Sequence, residues 1–276
     1  ECSDTQGLAN AQAALPIAID LCDTDVSNII KVSGQFTASS GCGNAGTYTN
    51  TWTVTDDCGN TSDVFTQIIT IQDTTAPTWT TAAAALNVTL ECSDTQGLAN
   101  AQAALPIAAD LCDTDVSNII KVSGSFVPSQ CINSGTYTNT WTVTDACGNN
   151  SQTFTQVITI QDTTAPTWTT TADALNVTLQ CSDDAGFNAA QNQAPVATDN
   201  CGGTVTYTKT SGTLQKGSCG STGTYTNTWV AKDVCNNSSS TFTQVITIQD
   251  SAAPSWVTVA GTLNVTLECS DTTGLA

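Results

Sequence analysis

Between Gly46 and Pro77 the chain alternates apolar and polar residues in two runs joined by turn-forming residues, GTYTNTWTVTDDCGNTSDVFTQIITIQDTTAP. In the first run Tyr48, Asn50, Trp52 and Val54 share one face, and Thr47, Thr49, Thr51, Thr53 and Thr55 share the other. Such alternation predicts a half-buried strand with a threonine-lined outer face. Asp57-Cys58-Gly59-Asn60 supplies turn chemistry, and Phe65, Gln67, Ile69 and Ile71 alternate again, so the unit reads as a long β-hairpin. Asp73-Thr74-Thr75-Ala76-Pro77 ends it, because proline cannot donate to a ladder. The same stretch returns at Gly135–Pro166 and, more loosely, at Gly223–Pro254.

Shorter elements surround the hairpin. Leu-Asn-Val-Thr-Leu at 86–90, 175–179 and 263–267 predicts a first strand for each copy, absent only from copy one. Thr95–Ala104 reads either as a short helical turn or as a loop, while Leu105–Asp110 and Asn118–Ser123 read as strands. The Gly/Ser/Asn-rich links at 34–45, 124–134 and 212–222 differ in length, as surface connections do.

Repetition organises all of this. Cys2, Cys92, Cys181 and Cys269 open successive copies, and residues 1–34 and 91–124 differ only at Ile19 against Ala109. A period of about 90 residues is too long for a solenoid and suits one small β-sandwich per copy. The expected fold is all-β: immunoglobulin-like sandwiches of about six or seven strands in tandem and in a line. The expected copies are residues 1–77, 78–166, 167–254 and the start of a fourth at 255–276, a window within a longer array.

Charge and composition narrow the function. Five lysines and arginines against 24 acidic residues give a net charge of −19, which repels nucleic acid and anionic membranes. Histidine is absent, which excludes Ser-His and Cys-His nucleophile systems, and an enzyme is not expected. No apolar run is long enough to span a bilayer.

Thirteen cysteines recur as four per copy, without close CxxC pairs, so they read as disulfides of an oxidising, extracellular setting rather than as zinc ligands. Four cysteines allow three connectivities. In an immunoglobulin-like topology the loops expected at each end of the sandwich favour Cys2–Cys42 with Cys22–Cys58, Cys92–Cys131 with Cys112–Cys147, and Cys181–Cys219 with Cys201–Cys235.

DNCGGTVTYTKTSG (Asp199–Gly212), TYTNTWVAKDVCNN and the ITIQDTTAPTW junction resemble the HYR-like (hyalin repeat) immunoglobulin-type modules that recur in very large surface adhesins of Bacteroidota. The resemblance covers essentially all of each copy. It implies export to the outer surface, attached at the outer membrane, and a structural or adhesive role.

Candidate chemistry lies in the loops. Asp20, Asp23 and Asp25 with Asp56 and Asp57, and in the next copy Asp110, Asp113, Asp115 and Asp145 with Asp73 entering from the linker, could converge as hard oxygen ligands for calcium between copies. The competing reading is solvated turn residues. Copy three keeps Asp199, Asn200 and Asp233. Thr74, Thr163, Ser251 and Thr272 lie in Asp-Thr-Thr or Asp-Ser-Ala sequences that resemble the O-glycosylation signal of Bacteroidota, and Asn87, Asn176 and Asn264 lie in N-x-T sequons. Trp52, Trp141 and Trp229 are expected in the core, and Trp79, Trp168 and Trp256 at the copy junctions. The repeated threonine faces offer lateral contacts between identical chains. Together these features point to a stalk segment of a secreted surface filament that serves attachment, gliding or cell contact. The alternative is an array of modules binding carbohydrate or protein; the near-identity of the first two copies favours the spacer.

Overall fold

Each threonine-faced hairpin forms in the register its alternation implies, and every other element of a copy packs around it. A computed structural model describes residues 1–270 apart from Asp25, Gln130 and Ile132. Copy one contains α1 (Thr5–Ala13), β1 (Ile29–Val32), β2 (Thr37–Ser39), β3 (Cys42–Val54) and β4 (Phe65–Ile71). Copy two contains β5 (Thr78–Trp79), β6 (Val88–Glu91), α2 (Thr95–Ala103), β7 (Ala108–Ala109), β8 (Ile119–Val122), β9 (Val127–Pro128), β10 (Gly135–Val143) and β11 (Phe154–Gln161). Copy three repeats this order as β12 (Thr167–Trp168), β13 (Val177–Gln180), α3 (Asp184–Asn192), β14 (Ala197–Thr198), β15 (Thr206–Thr210), β16 (Gln215–Lys216), β17 (Gly223–Lys232) and β18 (Phe242–Gln249). The chain divides into two units, Glu1–Thr163, which holds copies one and two, and Thr164–Ala276.

In copy two the first strand is split between two sheets. Thr78–Trp79 pairs antiparallel with β7, and β6 pairs parallel with β11, which continues antiparallel to β10 and then to β8 and β9. Copy three has the same arrangement. A first strand that is antiparallel in one sheet and parallel to the last strand in the other is the immunoglobulin-like wiring. Copy one has no Leu-Asn-Val-Thr-Leu stretch, and its sheet holds four strands. The third such stretch, 263–267, lies outside any strand.

The ambiguous Ala/Gln/Asn segment is a nine-residue helix in copies one, two and three. Its N-cap is the Asp of the Cys-Ser-Asp motif: Asp94 accepts from Gly97 N at 2.8 Å, satisfying an orphan helix donor. A Cβ on Gly97 would lie 2.2 Å from that carboxylate, so the position requires glycine. The helix brings Gln102 over the hairpin. There Asn139 Nδ2 donates to Gln102 Oε1 at 3.0 Å and to Gln156 Oε1 at 2.9 Å, and Asn139 Oδ1 accepts from Gly124 N at 3.2 Å. Gln156 Nε2 in turn donates to Ala101 O and Leu86 O. Asn139 and Gln156 have no exposed surface, so this network must be satisfied internally. Beside it Lys121 Nζ donates to Gln102 O and lies 5.3 Å from the centre of the fully buried Trp141 ring.

Asn50 and Asn227 repeat the network with Gln12 and Gln67, and with Gln191 and Gln244. Trp52, Trp141 and Trp229 are core residues, as expected. Trp79 and Trp168 are not junction residues. They pack against Phe154 and Phe242 of their own copies, at 5.5 Å and 5.3 Å between ring centres, and donate to Gln152 O and Ser240 O. The reason is the short ladder of β5 with β7 and of β12 with β14, which turns each indole onto its own hairpin.

Replacing Asn139 by alanine strands the amide oxygens of Gln102 and Gln156 and the N–H of Gly124. Asn139→Ala is expected to cost about 3 kcal/mol, since each unsatisfied buried group costs about 1–3 kcal/mol. Urea unfolding of the oxidised chain reads it as a fall in midpoint at unchanged slope. A change below about 0.5 kcal/mol, the level of an ordinary surface substitution, would contradict a structural role for the network.

Candidate functional site

The expected within-copy disulfides are replaced by bridges between copies. Cys2 is bonded to Cys112 and Cys42 to Cys147, at sequence separations of 110 and 105 residues. The pairs Cys2–Cys42 and Cys112–Cys147 are therefore corrected. Cys22–Cys58 and Cys181–Cys219 are corrected as well, because all four of these thiols are free and exposed. Cys92 and Cys131, which repeat Cys2 and Cys42, are disulfide-bonded, as are Cys201 and Cys235, which repeat Cys112 and Cys147. The physical reason is local. Cys2 N donates to Gln72 O at the end of β4, so Cys2 lies where copy one hands over to the loops of copy two. Asn44 Nδ2 reaches across to Cys112 O in the same place.

Three aspartates meet beside these bridges. Oxygens of Asp73, Asp110 and Asp145 all lie within 4.8 Å of one another, and an Asp73 oxygen lies equally close to the sulfurs of each bridge. Each carboxylate is aimed by its own turn. Asp110 Oδ1 accepts from Cys112 N at 2.7 Å and Asp113 N at 2.9 Å, an Asx turn. Asp145 Oδ1 accepts from Cys147 N and Asn149 N, and its Oδ2 from Asn149 Nδ2. Asn149 Nδ2 also donates to Asp73 O, tying the hairpin turn of copy two to the linker. Asp73 Oδ1 accepts from Thr75 N at 3.2 Å. The remaining oxygens, Asp73 Oδ2 and Asp110 Oδ2, are buried without a hydrogen-bond partner.

Asp73 is only 8% exposed, and that burial pushes its carboxyl above the usual range, with the charges of Asp110, Asp145 and Glu1 adding to the effect. Buried, like-charged carboxylates with unpaired oxygens fit a hard divalent cation, which would supply the missing partner and offset the repulsion. Of the five aspartates expected as ligands, Asp73, Asp110 and Asp145 converge. Asp113 and Asp115 are spent on the loop itself: Asp113 accepts from Ala146 N and Asp115 N, and Asp115 from Ser117 N.

The hydroxyls expected to carry glycans are held at the same ends of the copies. Thr163 Oγ1 and N donate to Glu91, Thr74 Oγ1 donates to Glu1, and Gln180 Nε2 donates to Ser251 Oγ. All three hydroxyl residues are exposed, while Thr272 lies outside the described residues. The Thr163 hydroxyl, followed by its N–H, holds Glu91 below the ordinary carboxylate value. Asn87 and Asn176 each accept from a main-chain N–H of the adjacent strand, at 2.8 Å and 2.7 Å.

The β-sheet wiring and the cysteine pattern define tandem, disulfide-bonded, immunoglobulin-like repeats. Residues 80–160 and 169–248 match the family described as HYR-like domain with 4 cysteines, more than half of the chain, and the chain belongs to that family. Among curated proteins nothing matches. Solved structures that overlap it include mouse clustered PcdhgC3 EC1-3, with 10% identity over 75% of this chain and 77% of that one at a TM-score of 0.29. Drosophila N-cadherin EC1-3 has 11% identity over the same shares at a TM-score of 0.23. Likeness at that level places no constraint on this chain. Among the described residues no helix is long and apolar enough to cross a membrane.

Two measurements check the site. Non-reducing proteolysis with mass spectrometry of the dilute chain is expected to recover Cys2–Cys112 and Cys42–Cys147, with Cys22 and Cys58 free to alkylate; recovery of Cys2–Cys42 would contradict the crossed pairing. Because the folded Glu91 pKa is lowered, its contribution to stability is complete above the ordinary glutamate value and is lost as pH falls through the folded one. An NMR titration is expected to place Glu91 below the ordinary value, and Thr163→Val to move it upward; an unmoved midpoint would remove the hydroxyl as the cause.

Proposed function

We propose that this chain is a load-bearing stalk segment of a very large, secreted surface adhesin of the Bacteroidota type, in which copy one is fastened to copy two by two disulfides around a calcium site. The observation that carries the reading is the convergence of Cys2–Cys112, Cys42–Cys147 and the aspartate triad at one junction. Bridges that cross a junction resist its bending and its extension, which an array of independent binding modules does not require. Disulfides persist in oxidising compartments, which agrees with an extracellular, surface-attached location. The functional copies are residues 1–77, 78–166, 167–254 and 255–276. The threonine faces act as lateral contacts when identical chains bundle into a filament.

In this reading Asp73, Asp110 and Asp145 are calcium ligands, and Asp113 and Asp115 hold the loop that presents them. Thr74, Thr163 and Ser251 are exposed acceptors for O-linked glycans ahead of the Ala-Pro linkers. Calcium in hundredfold excess over its dissociation constant would stabilise a single site by about 2.7 kcal/mol. The oxidised chain is therefore expected to melt about 5–10 °C higher in calcium than in chelator, with the difference abolished in Asp73→Asn. Equal melting temperatures would remove the metal. Electron microscopy of producing cells with an antibody against one copy tests the stalk itself. Label spaced along fibres is expected, and label confined to a short coat or to small secreted particles would favour the binding array.

A further inference from the structure

The spacing Asp-x-Cys recurs at Cys22, Cys58, Cys112, Cys147, Cys201 and Cys235, the second and fourth cysteines of the three copies. An Asx turn needs that spacing, since the carboxylate of one residue reaches the main-chain N–H two residues on. Cys112 N donates to Asp110 Oδ1 at 2.7 Å and Cys147 N to Asp145 Oδ1 at 2.9 Å, and the same bond forms at Cys22 and Cys201. A cysteine in this motif therefore aims the carboxylate beside it, and a shift of its main chain moves that carboxylate. Asp73 is tied to a cysteine from the other side, because it directly follows Gln72, whose carbonyl accepts from Cys2 N.

The two kinds of group come from opposite sides of the joint. Asp73 belongs to copy one with Cys2 and Cys42, and Asp110 and Asp145 belong to copy two with Cys112 and Cys147. Each bridge joins the first set to the second, so the approach of Asp73 to the other two carboxylates is held covalently. An Asp73 oxygen lies within 4.8 Å of the sulfurs of Cys2 and Cys112, and of those of Cys42 and Cys147. Three carboxylates this close repel one another, and a joint without bridges relieves the repulsion by moving them apart. Asn149 to Asp73 O and Asn44 to Cys112 O also cross the joint, but a neutral hydrogen bond contributes little net attraction against such charge.

We infer that the cation site is under redox control: closing Cys2–Cys112 and Cys42–Cys147 tightens a hard divalent cation on Asp73, Asp110 and Asp145, and the bound cation makes both bridges harder to reduce. The inference rests on the metal reading proposed above and adds its regulation. The two effects are one coupling free energy seen from either side, so each must equal the other. Reduction of a bridge by dithiothreitol proceeds through a mixed disulfide. The bridge S–S bond breaks and takes up two electrons and two protons to give two thiols, while the reagent closes to its cyclic disulfide. The freed sulfurs do not substitute for the carboxylates, because a hard cation takes oxygen donors. The joint thus holds its cation tightly only where the surroundings are oxidising enough to close the bridges, and a chain still reduced before export binds it weakly.

The test uses the full chain and calcium chloride. Isothermal titration calorimetry is expected to show calcium binding at least about fivefold tighter to the oxidised chain than to the dithiothreitol-reduced one, the low end of ordinary coupling between sites. The reverse effect is read in mixtures of oxidised and reduced dithiothreitol, with each bridge followed by alkylation and mass spectrometry. Saturating calcium should raise the reduced-to-oxidised ratio that opens half of each bridge. The two increases multiplied together should equal the calorimetric factor, as the thermodynamic cycle requires. Asp73→Asn exchanges a buried carboxylate for its neutral isostere and keeps both bridges, and it should abolish both effects at this joint. Cys2→Ala/Cys112→Ala keeps the second bridge, so the copies stay joined, and calcium affinity should still fall; that separates loss of positioning from the unfolding of a reduced chain. No calcium binding to the oxidised chain would overturn the metal reading and the inference with it. Equal affinity in the oxidised, reduced and single-bridge chains, half-reduction points indifferent to calcium, or the same shift in Asp73→Asn would overturn the inference alone.

Discussion

Two disulfides that leave one copy and enter the next are the constraint on which the first unit depends. A domain of about 90 residues buries only about two-thirds of the surface of its unfolded chain, which leaves little margin. Here much of the interior of a copy is amide rather than hydrocarbon, since Asn139 and Gln156 are as buried as Trp141. Closing loops of 110 and 105 residues supplies stabilisation that such a core does not, about 4–5 kcal/mol for each bridge in the chain-entropy model. Because the loops interleave, neither copy of the pair can unravel without straining the other.

The remaining elements position that junction. The buried Asn–Gln network holds the helix against the hairpin, and the helix N-cap, Asp4 or Asp94, directly follows the cysteine that opens the copy by two residues. The hairpin turn carries the fourth cysteine and Asp145, the short strand β7 leads into Asp110 and the second cysteine, and the linker contributes Asp73. Sulfur and carboxylate therefore reach the junction from the same loops. The lysine above each core tryptophan also belongs to this scheme, since its ammonium reaches the helix's last turn through Gln12 O, Gln102 O and Gln191 O.

The hairpin, its register and the repeat were legible in the sequence because they rest on period-2 alternation, which one copy displays in full. The inward asparagine of the GTYTNTW run and the glutamine of the facing hairpin arm were visible too, but the third member was not, since Gln102 comes from a helix whose approach no local pattern encodes. The helix was ambiguous because TQGLANAQA has almost no apolar face. Disulfide pairing was illegible for a different reason. In a tandem repeat every cysteine recurs at the same spacing, so the second cysteine of its own copy and that of the next are indistinguishable by order alone. Part of the aspartate triad stood out as acidic loops. What separated Asp110 and Asp145 from Asp113 and Asp115 was which carboxylates converge on Asp73, and that is settled only in three dimensions.

Pulling a single oxidised molecule between residues just outside Cys2 and Cys147 addresses the covalent junction most directly. With crossed bridges the shortest covalent path between those cysteines runs over one bridge and along residues 112–147, roughly 35 residues at about 3.5 Å each when extended. The account predicts that this short release, on the order of 120 Å, is all that appears until reductant is added, when roughly 145 residues become extensible. A longer release in the oxidised molecule, of the length that bridges confined to single copies would allow, would contradict it.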